Sequence, residues 1–184
     1  MHRIRLVRVV LLLMATVVLR LVGPAAGQPP DLQVRQVLLT NADVKNYIAA
    51  QRELVGIIFR MPEDRADLPG MKSGGQVELI VRQHGFSDLE AYNVVARNIA
   101  LVLEGVDPRT RTFVGADAML RRQLRDVEAD SSATIEEKEA AKSELLAQMK
   151  AIAPIAFPEN VGLVMRNLNE ILANSPFGAS AYAD

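Results

Sequence analysis

The chain has no cysteine and no tryptophan, and beyond residue 2 its single histidine is His84. Without thiols there is no disulfide, no thiolate metal site and no cysteine to carry a lipid or a haem. One histidine cannot assemble a histidine-rich metal centre. Aromatic residues make up 4% of the sequence, too few for a platform that binds bases or sugars by stacking. Alternating β-branched runs are missing, and no segment repeats at a fixed period. Beyond one apolar run near the N-terminus, no segment approaches the ~20 residues needed to span a bilayer.

That run belongs to a recognisable layout. Arg3, Arg5 and Arg8 precede apolar residues Val9 to Leu19, and the small residues Ala25, Ala26 and Gly27 come after it. A basic segment, a short apolar segment and a small-residue stretch form a signal peptide, which predicts export to the periplasm or the cell exterior with cleavage after Gly27. Arg20, at the end of the apolar run, departs from the pattern. Of the 21 basic residues four would leave with residues 1–27, while all 22 acids remain, so the mature chain is acidic by about five charges. An acidic domain is a poor partner for nucleic acid. The remainder has the length of one ordinary domain, able to bury a core of its own.

Helical periodicity dominates the mature chain. Residues 28–36 read as a mobile lead-in and 37–174 as a single helical domain. Thr40 is an N-cap with Asp43 three residues on, and Leu39 and Val44 sit where a hydrophobic staple closes. Val44, Tyr47, Ile48, Leu54, Val55 and Ile58 then fall on one helical face, interrupted by Gln51. Proline, glycine and charge from Met61 to Gly75 predict a loop. A short helix, QVELIVRQ, should stop at Gly85, and Ser87 with Glu90 can cap the next, whose wide stripe runs from Leu89 to Leu103. Asp107-Pro108 predicts a turn.

Further helices are expected from Gly115 to Ala129, from Thr134 to Ala153 before Pro154, and from Glu159 to Ala173, with a loose tail over 175–184. The fold class is all-α, a compact bundle of five to six amphipathic helices. The segments LTNADV, HGFSDLEAY and PIAFPEN resemble parts of short secreted all-helical bacterial proteins catalogued as domains of unknown function. That resemblance implies the fold and the compartment, and no reaction.

Four sets of residues could carry chemistry. DVEADSSATIEE, Asp126 to Glu137, has the spacing of a calcium loop, with Asp126, Glu128, Asp130 and Glu137 as candidate ligands. Ser131 stands where such a loop needs glycine, and Thr134 with Glu137 also satisfies a capping box. His84 could act as a base oriented by Asp88 or Glu90, yet no activated nucleophile accompanies it; at the end of a helix it also suits the dipole. Buried carboxylates could serve a hydrolase, but spacing alone cannot place two acids across a cleft. Arg121, Arg122 and Arg125 belong to the densest basic stretch and offer a possible interaction surface, although interleaved acids also suit a salt-bridged solvated face.

These observations predict a non-enzymatic interaction or chaperone-like module. It would need no cofactor, meet an unknown protein or cell-envelope partner, and stay out of the membrane after signal cleavage. The loop from Met61 to Gly75 and the arginine-bearing helix are its expected contact regions.

Overall fold

A computed structural model describes residues 34–58 and 73–175 of the chain. All of them belong to one compact unit, Gln33–Asp184. The N-terminal signal layout, residues 28–33 of the lead-in, residues 61–72 of the expected loop and the tail from 176 lie outside the described residues.

Helix α1 (Asn41–Ile58) starts as the cap chemistry requires. The Asp43 amide donates to Thr40 Oγ1 at 3.1 Å, and Asp43 Oδ2 accepts from the Thr40 amide at 2.8 Å, so two unpaired N–H groups of the first turn are satisfied reciprocally. Leu39 and Val44 beside them are buried. Gln51, the break in the apolar stripe, donates to the hydroxyl of buried Tyr47 at 2.8 Å. Burial pushes the Tyr47 hydroxyl above the usual tyrosine range.

Helix α2 (Ser73–Gln83) begins three residues earlier than QVELIVRQ suggested. Gly74 and Gly75 occupy its first turn, where backbone donors lack intrahelical partners in any case, so glycine breaks nothing there. Its end is a Schellman motif: the Gly85 amide donates to Arg82 O and the Phe86 amide to Val81 O, both at 3.1 Å. Gly85 takes φ 87°, a left-handed backbone that strains any residue with a β-carbon, and such a β-carbon would also displace the Asn46 side-chain amide 2.9 Å away. Val81 and Phe86, the apolar pair of the motif, are both buried.

Helix α3 (Leu89–Leu103) is capped by Asp88, which accepts from the Ala91 amide at 2.7 Å. Ser87 instead donates its hydroxyl to Asp88. Adjacent serine and aspartate can both cap, and the carboxylate, a charged acceptor at the positive helix end, wins. Those hydrogen bonds, first the backbone one and then that from Ser87, hold the Asp88 carboxyl below its ordinary range.

The chain then makes a feature absent from its periodicity. Strands β1 (Val106–Asp107) and β2 (Thr112–Phe113) pair antiparallel, with Asp107 opposite Thr112. The connecting loop closes through Arg111, at φ 53°, whose amide donates to Asp107 O at 2.8 Å. Gly105 O accepts from the amides of Val114 and Gly115, and a β-carbon on Gly105 would meet the Gly115 backbone at 2.9 Å. Two residues per strand are too few for alternation to register.

Helices α4 (Ala116–Ala129) and α5 (Ile135–Ala151) come next as an antiparallel pair. The last expected helix is two, α6 (Glu159–Arg166) and α7 (Leu168–Ala173). At Asn167 the amide turns to Val164 O at 3.0 Å while the side chain donates to Leu163 O at 2.9 Å. A side chain taking its own helix's carbonyl is a known cause of a bend. The described residues thus contain seven helices rather than five to six, all-α apart from the small hairpin.

The core joins α1, α2, α3 and α6, with Val44, Val81, Ile99 and Val164 at its dry centre. Tyr92 stacks on Tyr47 and meets the edge of Phe86, with ring centroids 5.7 and 5.4 Å away. Two buried asparagines add an unusual element. Asn98 Oδ1 accepts from the Val37 amide and its Nδ2 donates to Arg35 O. Asn160 Oδ1 accepts from the Leu39 amide and its Nδ2 donates to Val37 O. Gln36 completes the clamp, donating to Pro154 O and accepting from the Ala156 amide, both at 2.7 Å. Residues 35–39 therefore run over the helices with their backbone hydrogen bonds supplied by side chains instead of a sheet.

Candidate interaction surface

The α4–α5 pair is the least enclosed part of the described structure. Helix α4 has no buried residue, and α5 has only Leu145. The two helices pack on each other, and helical spacing assigns Met119, Leu120, Leu124 and Val127 to one side of the seam and Ala141, Leu145, Met149 and Ile152 to the other, yet all but Leu145 remain half-buried. Two helices alone cover only one side of such a seam. Ile135 is 84% exposed and Leu146 41% exposed, and both lie outside the seam.

The arm is well built as a hairpin. Thr134 Oγ1 accepts from the Glu137 amide, and Glu137 Oε2 accepts from the Thr134 amide at 2.8 Å, a complete capping box. Lys138 Nζ donates to Glu128 O at 3.1 Å and Lys142 stands 3.9 Å from the Glu128 carboxylate, tying the two helices across the tip. At the base Arg122 donates to the carboxylate of Asp107, a buried residue of β1. The Arg109 amide also donates to Asp107, at 2.9 Å. That backbone bond, and then the Arg122 guanidinium, hold the Asp107 carboxyl below the ordinary carboxylate range.

The three arginines singled out from sequence therefore separate. Arg122 is engaged inside the fold. Arg121 is exposed and pairs with Asp117 at 2.7 Å across one helical turn. Arg125 is exposed and makes no ion pair or side-chain hydrogen bond among the described residues. Of the calcium candidates, Glu137 closes the capping box, Asp130 accepts from the amide and hydroxyl of Ser132, Glu128 faces Lys142, and Asp126 is exposed on α4. Among the described residues no three acidic or histidine side chains gather as a metal requires.

His84 meets neither Asp88 nor Glu90 but Glu53 of α1, at 2.9 Å. Among the described residues, the Asp88, Asp107 and Glu137 carboxyls are held below their ordinary range by hydrogen bonds, and Glu104 is raised by desolvation. No described helix is long and apolar enough to cross a membrane.

Sequence reasoning found the arm's arginines and capping box. It missed Ile135 and Leu146, which the absence of a clean apolar stripe in α5 could have marked: its apolar residues fall on two sides of the helix. It also missed Asp107 as the anchor. No family model, curated protein or solved structure matches the chain.

Proposed function

We propose that this is a secreted, non-enzymatic interaction module of the bacterial cell envelope, with the α4–α5 arm as its contact surface. One observation carries the reading: the arm leaves its apolar seam only half-buried and Ile135 and Leu146 exposed outside it, and α4 fully buries none of its residues. Apolar surface of that kind supports contact with a partner, because a helical hairpin with one open side gains little from burial. Export is supported by the layout of residues 1–27, and a non-enzymatic role by side chains of the arm that are occupied with caps and ion pairs.

The test is contact in the producing cell. A photo-crosslinking residue placed at Ile135 or Leu146 should yield adducts on irradiation, whereas one at Leu79, an exposed leucine of α2, should not. Equal yields at all three positions, or none at the arm, would remove the arm from this role.

A further inference from the structure

We propose that the chain cuts its own Asp107–Pro108 peptide bond in mild acid, with the Asp107 carboxylate as the nucleophile. The event is intramolecular and happens once per chain, so it stands apart from the contact role of the arm and from enzymatic turnover.

The dipeptide supplies the reacting groups. An aspartate has a carboxylate that can close on its own carbonyl carbon. The prolyl nitrogen that follows is a tertiary amide and accepts a proton more readily than an ordinary peptide nitrogen, which makes it the better leaving group. The fold then acts on these atoms. The carboxylate accepts from the Arg109 amide, two residues on, at 2.9 Å, and the turn so closed folds it over the Asp107–Pro108 bond. The carbonyl oxygen of Asp107 accepts from the Arg111 amide at 2.8 Å, a fixed donor at the atom where negative charge develops during attack. Arg111 takes φ 53°, and among the described residues no other non-glycine residue has a positive φ, so the residue that supplies this donor is also a strained one. Asp107 is buried, yet Pro108 is half-buried and Arg109 exposed, so solvent reaches the leaving nitrogen.

The surroundings keep the nucleophile charged. The Arg109 amide and then the Arg122 guanidinium hold the carboxyl below its ordinary range, so in mild acid it stays ionised, the attacking form. Among the described residues Arg122 of α4 is the charge that acts on it. Thr112 and Phe113 of β2 carry no acid or base, and Met165, Leu168 and Leu172, packed on neighbouring Val106, are apolar.

In the reaction one carboxylate oxygen of Asp107 adds to the Asp107 carbonyl carbon, and the carbonyl oxygen takes the negative charge beside the Arg111 amide. The bond from that carbon to Pro108 N then breaks as the nitrogen takes a proton from solvent. A cyclic anhydride remains at Asp107 and a free amine at Pro108. Water opens the anhydride to the side-chain and terminal carboxylates, so each cut consumes one water and is a hydrolysis. The two pieces stay together, because Val164 of α6 shares the core with Ile99 of α3 and Asn160 holds Leu39. What the cut removes is the covalent link from β1 to the arm.

The experiment holds the full chain, isolated from its producing cell, at the lowest pH where circular dichroism still shows its native helix content. Mass spectrometry follows it beside a urea-unfolded sample at the same pH. Pieces ending at Asp107 and beginning at Pro108 should form about ten times faster or more in the folded chain, since the fold holds the reacting groups together. Each unit of pH above that point should slow them about ten-fold, because the leaving nitrogen needs a solvent proton. Pro108→Ala, which keeps Asp107 and its partners, should slow the cut about ten-fold or more, and Asp107→Asn should abolish it. A folded chain that yields no such pieces, a cut as fast in urea, or a cut undiminished in either variant would overturn the proposal.

Discussion

The body of α1, α2, α3 and α6 and the arm of α4 and α5 are held together by different physics. In the body, side chains such as Ile99 and Val164 are wholly removed from water and neighbouring aromatic rings interlock. In the arm, cohesion comes from ends and edges: a capping box at Thr134, a lysine across the tip and an ion pair at the base. Capping and surface ion pairs contribute about 1 kcal/mol or less each, against roughly 2–5 kcal/mol for a fully buried aliphatic side chain. The body secures its stability by burial, and the arm leaves Ile135 and Leu146 exposed.

The sharpest way to break it is a pair of truncations. Ile99→Ala in the body should cost about 3–4 kcal/mol, and Leu124→Ala in the arm only ~1 kcal/mol, because a half-exposed leucine loses less and its site can collapse. Urea unfolding measures both. Equal losses would mean that the arm is as enclosed as the body. Next in size is Asn160→Ala. It leaves the Leu39 amide and the Val37 carbonyl unpaired in a buried place, at a cost of roughly 2–3 kcal/mol. Hydrogen exchange should speed up at Leu39 before it does at Val37, whose amide is held by Asn98.

Acid should separate the two regions by a different route. The Asp107 carboxyl lies below its ordinary range in the folded chain, so its contribution is complete above the unfolded value of about 4 and is lost as pH falls through the folded value. Its partner belongs to α4, so protonation of Asp107 should cost the arm's amides their protection from exchange, while α3 depends on a depressed carboxyl of its own, Asp88. Asp107→Asn should give the arm that looser state already at neutral pH. Uniform loss across arm and body would show that Asp107 supports the whole fold rather than the arm's base.

Legibility in the sequence obeys the same division between local and distant causes. The start of α1, the stop at Gly85 and the capping box at Thr134 depend on residues within four or five positions of one another, so spacing alone reveals them. The clamp on residues 35–39 joins Asn98 to a partner 61 positions away and Asn160 to one 121 away, and a lone asparagine in an apolar stripe gives no sign of either. Asn167 was hidden for a related reason: it keeps helical register while diverting its own backbone bond, so periodicity continues across the bend. The arm's arginines were visible as a cluster, but their division into one anchored and two exposed needed Asp107, which belongs to a hairpin too short to read.

The smallest expected effect concerns the arm's tip. Thr134→Ala removes the acceptor for the Glu137 amide and should cost about 1 kcal/mol, with fraying at the start of α5 and none in the body. The same geometry bears on calcium. To serve as the bidentate ligand at the end of a calcium loop, Glu137 would have to give up the Thr134 amide and hydroxyl, and Asp130 would have to release Ser132. Ser131 would also have to adopt the turn that glycine normally makes there. Millimolar calcium should therefore leave the melting temperature where chelator leaves it, since a ligand stabilises only by its preference for the folded state. A calcium-specific rise, abolished by Asp126→Asn, would instead mean that the tip reorganises around an ion. The arm would then have a folded form in which its cap is replaced by a metal.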